Sequence, residues 1–272
     1  MFRVVAVDLD GTLLRSDGTV SARTRAALAQ ATAAGARLVI VTARPPRTAV
    51  ALARLAGIGG VAVCSNGAIV HDLDTGETLI TGPLPLDVAE RAAATIAAAL
   101  DGATFAVETG RRAVVGPGHG HHATHEDARH EVDTPAQVWA QAESCVKLLV
   151  WSPAPVTDEL LTRIEAVVPE VRITYSGGSG LLEISAATVS KADTLARLCA
   201  DWDISPDQVI AFGDMPNDLP VLEWAGTGVA VANAHPRVLA GVGRVTASND
   251  EDGVALVLEE VFAGAGDVVP GR

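Results

Sequence analysis

Short apolar runs alternate with longer segments of helical periodicity in the first quarter of the chain. Three of these runs are rich in β-branched residues and are predicted strands: residues 3–7, 37–42 and 61–64. The segments between them begin at a capping Ser or a Pro pair and end at a Gly, as helices often do: residues 21–35 and 45–57. Strands and helices that alternate at this spacing predict a parallel sheet with helices on both faces.

The alternation stops after Ser65-Asn66-Gly67 and resumes at Ser190. In between, strand and helix patterns are mixed without a regular β–α order. The predicted strands there are 68–71, 78–81, 104–108, 113–115, 146–151, 171–175 and 181–185, and the predicted helices are 86–100 and 157–168. Beyond Ser190 the predicted helices are 190–201 and 253–261, and the predicted strands are 209–212, 228–232 and 244–246.

These patterns predict an α/β fold with an insertion. A Rossmann-like parallel-sheet core with helices on both faces is expected from residues 1–82 and 189–264. An α+β cap domain is expected from residues 83–188, which we call the insert. Residues 265–272 are small and polar, and we expect a loose tail there.

Composition narrows the function classes. The chain has 272 residues, and its 20 Lys and Arg against 33 Asp and Glu give a net charge of −13. Such a charge repels nucleic acid and anionic membranes, so we expect neither as a partner. A phosphorylated substrate would also be repelled, unless a bound cation offsets the charge locally. The composition therefore favours a metal at any site for a phosphate ester.

Cysteine use and hydropathy indicate a cytoplasmic protein. Cys64, Cys145 and Cys199 are widely spaced and form no Cys-x-x-Cys pair, so reduced thiols are expected. The apolar N-terminal run is short and is interrupted by Asp8 and Asp10, so we expect neither a signal peptide nor a membrane span.

Acidic residues follow two predicted strands. Asp8 and Asp10 come directly after the first strand, and Asp214 and Asp218 come after the strand at 209–212. The carboxyl ends of parallel strands form the edge of the sheet where ligands bind, so we expect these side chains in one crevice. A cluster of carboxylates with oxygen ligands only is typical of Mg²⁺ sites.

Two further residues complete a site for a phosphoryl group. Thr42 ends the second predicted strand, and its hydroxyl and the next amide are suited to a phosphate oxygen. Lys191 begins the helix at which the alternation resumes, and its ammonium group offsets the carboxylates. Alone, each residue is more often a turn, cap or surface residue. Their common placement at strand ends and a helix start favours function.

Together the motifs resemble those of the haloacid dehalogenase superfamily of phosphatases. The resemblance rests on Asp8-Leu9-Asp10-Gly11-Thr12, Thr42, Lys191 and Gly213-Asp214-Met215-Pro216-Asn217-Asp218. The insert and Ser65-Asn66-Gly67-Ala68 resemble the Cof-type (class IIB) branch. Ala43 stands where the family often has Gly, and we expect a negative φ there, so that the backbone N–H is unaffected.

The resemblance implies a role for each residue. Asp8 would attack phosphorus to form an aspartyl-phosphate, and Asp10 would act as general acid and then general base. Mg²⁺ would be held by Asp8, the Asp10 carbonyl and Asp214. The phosphoryl oxygens would be held by the Leu9 and Ala43 amides, Thr42, Lys191 and Asn217. Asp218 and Thr12 would support these groups without touching the phosphoryl group.

Several alternatives stay open at this stage. A phosphomutase would share the aspartyl-phosphate, and a metal-dependent binding protein would share the fold without turnover. Among substrates, sugar phosphates rank first, followed by phosphorylated cofactors, and the oligomeric state is monomer or dimer. The histidines at 119, 121, 122, 125 and 130 are interpreted as a solvated loop, with a metal site as the alternative.

Overall fold

The computed structural model describes residues 1–120, 128–153, 158–174 and 180–263. In chain order, the strands there are β1 (Val4–Val7), β2 (Arg37–Val41), β3 (Val61–Cys64), β4 (Ile69–Asp72), β5 (Thr78–Ile80), β6 (Thr104–Glu108), β7 (Ala113–Val115), β8 (Arg129–Glu131), β9 (Lys147–Trp151), β10 (Val171–Thr174), β11 (Leu181–Ala186), β12 (Val209–Gly213) and β13 (Thr227–Ala230).

The α-helices in the same residues are α1 (Ala22–Ala33), α2 (Pro46–Ala56), α3 (Leu86–Ala99), α4 (Pro135–Gln141), α5 (Asp158–Val167), α6 (Lys191–Asp201), α7 (Leu219–Trp224), α8 (Pro236–Gly241) and α9 (Gly253–Val261). None of them is long and apolar enough to cross a membrane.

A seven-stranded sheet forms the first layer, in the order β13-β12-β1-β2-β3-β4-β5. Strands β13 to β3 are parallel, and β4 and β5 are antiparallel. Side chains alternate between the faces, because successive residues of a strand point in opposite directions. Val5 and Val7 pack in the cluster that contains Leu28, whereas Val4 and Ala6 pack in the cluster that contains Leu195. Helices therefore cover both faces, and the predicted α/β class is confirmed.

Strand β1 is the middle one of the five parallel strands and is buried throughout. Val7 is paired with Ile40 of β2 on one side and with Phe212 of β12 on the other. The three strands consequently end at the same edge, so that Asp8, Thr42 and Asp214 follow them there.

A six-stranded sheet forms from the insert, in the order β10-β11-β9-β6-β7-β8. Its pairs are antiparallel, except that β7 and β8 are parallel. One face carries Val107, Leu148 and Ile184, which join the same hydrophobic cluster as Ile96 of α3 and Ile164 of α5. The domain bounds at 82/83 and 188/189 stay a prediction.

Elements that differ from the prediction are short or polar. The predicted strand at 244–246 is a single bridge between Val245 and Ala230, at the last residue of β13. Strand β8 was not predicted, because Arg-His-Glu has no apolar alternation. Helix α4 was also not predicted, although Thr134 and Gln137 form a capping box that marks its start. The predicted tail lies outside the described residues.

Candidate active site

Asp8 lies at the end of the central strand and is buried. Its backbone N–H donates to the Phe212 carbonyl at 3.1 Å, which continues the sheet by one residue. The chain then makes a wide turn in which the Leu14 N–H donates to the Leu9 carbonyl at 2.8 Å. Gly11 has a φ of 75° in this turn, a left-handed conformation that favours glycine. The turn thus separates Asp8 from Asp10 and directs them differently.

Lys191 lies between two buried carboxylates. Its Nζ donates to Asp8 Oδ1 and to Asp218 Oδ1, both at 2.7 Å. The lysine is the first residue of α6, which is capped by Ser190 through a hydrogen bond from the Asp193 N–H. The helix start therefore fixes the lysine against both carboxylates, and all three side chains are almost fully buried.

The neighbouring charges and burial shift the pKa values of Lys191 and Asp8. Burial by itself lowers the pKa of Lys191, but Asp218 and Asp8 outweigh that effect and raise it above the usual value. Burial raises the pKa of Asp8 well above the usual value; Lys191 opposes this rise, and Asp218 and Asp214 add to it. One ammonium group thus faces an excess of carboxylate, an imbalance that a cation would relieve.

Asp214 follows β12 and faces the turn at Gly11. Thr12 Oγ1 donates to its Oδ1 at 2.7 Å. Burial raises the pKa of Asp214 to about 6, although the Thr12 hydrogen bond lowers it. Asp218 Oδ2 accepts from the backbone N–H groups of Asp214, at 3.2 Å, and Met215, at 3.0 Å. Asp218 therefore fixes the loop that carries Asp214.

Three carboxylates meet at this edge of the sheet. In the part of the chain that the structure describes, Asp8, Asp214 and Asp218 each place an oxygen within 4.8 Å of the others. All three are buried, and their oxygens are the donors that Mg²⁺ prefers. A Cβ built on Gly11 would lie 2.5 Å from Asp214 Oδ2, so the glycine keeps this space open. The donor set and the space both fit a magnesium ion.

The Asp10 side chain is not a member of this carboxylate group. Arg44 Nε and Nη2 donate to its two carboxylate oxygens, each at 2.6 Å, and the Asp10 side chain is 52% exposed. The structure thus differs from the expectation that the carboxylates of Asp8 and Asp10 face one crevice, and Arg44 is a partner of Asp10 that was not predicted. The available signal was the Thr-x-Arg sequence that begins at Thr42.

The remaining predicted site residues lie in the surrounding loops. The Thr42 hydroxyl accepts from the Arg44 N–H at 3.1 Å, and the Ala43 carbonyl accepts from Lys147 Nζ at 2.7 Å. Ala43 is not among the described non-glycine residues with positive φ, so the expected negative φ is confirmed. Leu9 is buried at the start of the turn.

Asn217 Nδ2 donates to Asn66 Oδ1 at 3.2 Å. Asn66 in turn lies against the insert, through a 3.0 Å hydrogen bond to Glu183. A contact network thus reaches the site from the insert. Sequence reasoning missed Asn66, Lys147 and Glu183 as members of this network, because their partners lie far away in the chain.

A cavity of about 650 Å³ opens beside Asp10 and Arg44. Its other walls include Gly11, Arg15, Asn233 and Asp250. Charged and polar side chains thus line the cavity together with apolar ones such as Leu14 and Leu52, and the volume is in the range of small-molecule sites. The cavity is thus suited to a small hydrophilic ligand next to Asp10.

Comparison with known proteins identifies the family. A sequence model of the haloacid dehalogenase-like hydrolases matches residues 5–258. The chain belongs to this family. The expected phosphatase class is confirmed, so the chain is a phosphoric monoester hydrolase, and the roles of its individual site residues stay predictions.

Relatives in this family match along nearly the whole chain. YitU of Bacillus subtilis, a 5-amino-6-(5-phospho-D-ribitylamino)uracil phosphatase, is 29% identical over 96% of this chain and 97% of its own. The pyridoxal phosphate phosphatase YbhA of Escherichia coli is 29% identical over 93% of this chain and 96% of its own. The structure of the HAD subclass IIB sugar phosphatase BT4131 has a TM-score of 0.78 at 20% identity, over 95% of this chain and 98% of its own, which shows the same fold.

The histidine-rich stretch gives no metal site among the described residues. His121, His122 and His125 lie outside them. Thr104 Oγ1 is 3.3 Å from His119 Nδ1, and His130 Nε2 forms a hydrogen bond with Gln141. Neither described histidine joins a group of potential metal ligands there.

Proposed function

We propose that the protein is a Mg²⁺-dependent phosphatase that transfers a phosphoryl group from a small metabolite to Asp8 and then to water. The observation that carries this proposal is the buried row of Asp8, Lys191 and Asp218, with Asp214 beside it. A carboxylate nucleophile needs positive charge that keeps it ionised in a buried site; Lys191 supplies part of that charge, and a bound Mg²⁺ would supply the rest.

The metal would be held by Asp8 and Asp214, together with the backbone carbonyl of Asp10. When bound, Mg²⁺ supplies positive charge that offsets the carboxylates and polarises the phosphoryl oxygens. Thr12 orients Asp214 through its 2.7 Å hydrogen bond, and Asp218 orients Lys191. Both residues act through their neighbours rather than on the substrate.

In the first half of the reaction, an Asp8 oxygen bonds to phosphorus as the bond to the leaving oxygen breaks. Asp10 gives a proton to that leaving oxygen. In the second half, Asp10 takes a proton from water, and the water oxygen displaces Asp8 from phosphorus and releases inorganic phosphate. Lys191, Thr42 and the backbone amides of Leu9 and Ala43 hold the phosphoryl oxygens, and Asn217 completes this set. For Asp10 to act, its carboxylate has to leave Arg44 and turn towards Asp8.

The proposed substrates are small phosphorylated metabolites, with sugar phosphates first. The charged side chains of Arg15, Arg44 and Asp250 in the cavity of about 650 Å³ beside Asp10 support a leaving group that carries hydroxyl groups. The names of the relatives YitU and YbhA support the same class, since each acts on the phosphate ester of a small molecule. Three buried free cysteines support the proposed cytoplasmic location.

Phosphate release from a panel of phosphorylated metabolites, with Mg²⁺ and with EDTA, tests the proposal. We expect release by the parent with Mg²⁺, no release with EDTA, and no release by Asp8→Asn under either condition. The matched control is Asp201→Asn, the same change at an exposed position at the end of α6, which we expect to leave turnover unchanged. Turnover by Asp8→Asn within tenfold of the parent would overturn the role of Asp8.

A further inference from the structure

The insert presents charged side chains on the face of its sheet opposite to its helices. Glu108 of β6 is directly paired with Lys147 of β9, and Glu183 of β11 is the diagonal neighbour of Lys147, because Glu183 is paired with Leu149. Side chains two residues apart in a strand share a face, so all three point the same way. All three are nevertheless buried, so this face is covered by another part of the protein.

The covering part is the carboxyl edge of the first sheet together with the start of α2, which supplies a counter-charge for Glu108. Arg47 of α2 donates to both carboxylate oxygens of Glu108, at 2.9 and 2.7 Å. Lys147 Nζ donates to Glu183 Oε1. Buried charges are tolerated when each is paired, and these form two pairs with no net charge. The Lys147–Glu183 pair, however, also reaches the phosphate loops.

Lys147 fixes the peptide group that follows Ala43. Its Nζ donates to the Ala43 carbonyl at 2.7 Å. The N–H of the same peptide group, which belongs to Arg44, donates to the Thr42 hydroxyl at 3.1 Å. This peptide plane is therefore held from both sides, which restricts ψ of Ala43 and orients the Thr42 hydroxyl.

Glu183 fixes Asn217 through Asn66. Glu183 Oε2 accepts from Asn66 Nδ2 at 3.0 Å, and Asn66 Oδ1 accepts from Asn217 Nδ2 at 3.2 Å. Asn66 lies between Ser65 and Gly67, and the three have consecutive φ values of 51°, 57° and 104°. Successive left-handed residues are unfavourable and persist where surrounding contacts hold them, and the Glu183 hydrogen bond is such a contact.

We propose that Lys147 and Glu183 are positioning residues: from the insert, they set the phosphoryl-binding groups of Ala43, Thr42 and Asn217. This inference rests on the proposed function, because those three residues are phosphoryl-binding groups only within it. The pair touches no reacting atom, so its effect is transmitted through the backbone at Ala43 and the side chain of Asn66. The phosphoryl site is consequently complete only when the insert lies against the first sheet.

The test is the dissociation constant of inorganic phosphate, measured by calorimetry on the Mg²⁺-loaded protein. Glu183→Gln is expected to weaken phosphate binding about tenfold, the usual effect of removing a group that orients a ligand-binding residue. Glu108→Gln is the matched control: the same change on the same buried face, at a residue whose partner is Arg47. We expect the control to bind phosphate within about twofold of the parent, since the side chain of Glu108 bonds to Arg47 and to the Gly110 N–H and not to a proposed phosphoryl-binding residue.

Equal weakening in both variants would assign the effect to general docking of the insert and would overturn the proposal. Parent-like binding by Glu183→Gln would overturn it too. The proposed function is judged separately, by Mg²⁺-dependent phosphate release from the parent and its loss in Asp8→Asn.

A double variant covers the case in which Glu183→Gln does not fold. Lys147→Met with Glu183→Leu replaces the ion pair by apolar groups, and such replacements often preserve stability. The proposal expects this variant to fold and to bind phosphate about tenfold more weakly, because both positioning contacts are gone. Parent-like phosphate binding by the folded double variant would contradict it.

Discussion

At the scale of single residues, burial distinguishes the ion pairs of the active site from those on the surface. Arg91 and Asp87 form a 2.9 Å pair, but their side chains are 51% and 76% exposed, so the pair contributes about 0–1 kcal/mol at most. Lys191 is 2% exposed between Asp8 and Asp218. Removing one partner of such a buried pair typically costs about 3–5 kcal/mol, because the other charge stays buried. Changes at Asp8 and Lys191 therefore need a check of folding beside the activity assay.

Asp10 allows a cleaner test of chemistry, because its side chain is half exposed. We expect Asp10→Asn to lower kcat by a factor of about 100 or more, since the amide cannot transfer the proton. The free energy of unfolding is expected to change by less than about 1 kcal/mol, as for a surface ion pair. Steady-state kinetics and urea denaturation measure the two effects. An unchanged kcat would remove Asp10 from the mechanism.

Protonation of Asp214 predicts a pH-dependent response to magnesium. The folded-state pKa of about 6 lies above the ordinary value of 3.8, so the metal-free folded state binds this proton more tightly than the unfolded state. Binding of this proton therefore stabilises the metal-free fold fully at pH values below 3.8, and the stabilisation is lost as pH rises through about 6. Mg²⁺ competes with the proton for the carboxylate.

We accordingly expect Mg²⁺ to raise the Tm more at about pH 7.5 than at about pH 5, where Asp214 is protonated. Thermal melts with and without MgCl₂ at both pH values measure the difference. Asp214→Asn serves as control and is expected to show little Mg²⁺ response at either pH. An equal rise in Tm for the parent at both pH values would contradict a magnesium site at Asp214.

At the scale of elements, the turn after β1 and the start of α6 build the site. The turn needs a left-handed residue at Gly11, and the same glycine lies against Asp214. Helix α6 begins at Lys191, so its cap at Ser190 fixes where the ammonium group lies. Local backbone geometry thus positions charges that come from opposite ends of the chain.

Gly11→Ala tests the turn. Left-handed φ costs a non-glycine residue about 1–2 kcal/mol, and a Cβ at 2.5 Å from Asp214 Oδ2 adds a clash. Gly35→Ala is the control: its φ is 90°, but no atom lies within 4 Å of the added Cβ. By urea denaturation, we expect the Gly11 variant to lose more stability than the Gly35 variant, and to lose phosphatase activity, which the Gly35 variant keeps. Full activity in Gly11→Ala would show that the close approach to Asp214 is unnecessary.

At the scale of the whole molecule, a hydrophobic cluster and a polar face join the two sheets. Ile69 of β4, Leu84 and Val146 belong to one cluster with residues of both sheets. On the polar face, Arg47 neutralises Glu108, whose side chain is 3% exposed. The insert therefore depends on Arg47 of α2, outside the insert, for the counter-charge of Glu108.

The Arg47–Glu108 pair predicts a non-additive effect on stability. Arg47→Gln leaves Glu108 buried without its counter-charge and is expected to lower the free energy of unfolding by about 3 kcal/mol. Adding Glu108→Gln removes that charge, so the double variant is expected to lose less than Arg47→Gln alone. Urea denaturation of both single variants and the double variant measures the coupling. Losses that simply add would show that the two charges do not interact.

The apolar runs of the sequence were enough to predict the parallel sheet and the chain order of its elements, and the residues that follow these runs predicted its carboxyl edge. Buried parallel strands are read as continuous apolar runs, and polar residues that end such runs lie at the edge where ligands bind. Asp8, Thr42 and Asp214 are therefore candidates by their common placement, although each alone is also typical of a turn or cap. Short elements with polar sequences, such as β8, left no such signal. The capping box of α4 marks a helix start, but it is a polar motif, so a prediction based on apolar periodicity misses it.

Which charged side chains meet depends on the packing of elements that lie far apart in the chain. Asp10 and Arg44 form a pair because the turn at Gly11 directs Asp10 away from Asp8. Lys147 and Glu183 reach Ala43 and Asn66 because the polar face of the insert packs against the first sheet. Hydrophobic periodicity reports which residues are buried within an element. It does not report the pairing of side chains between elements far apart in the chain, which depends on how the two sheets are packed.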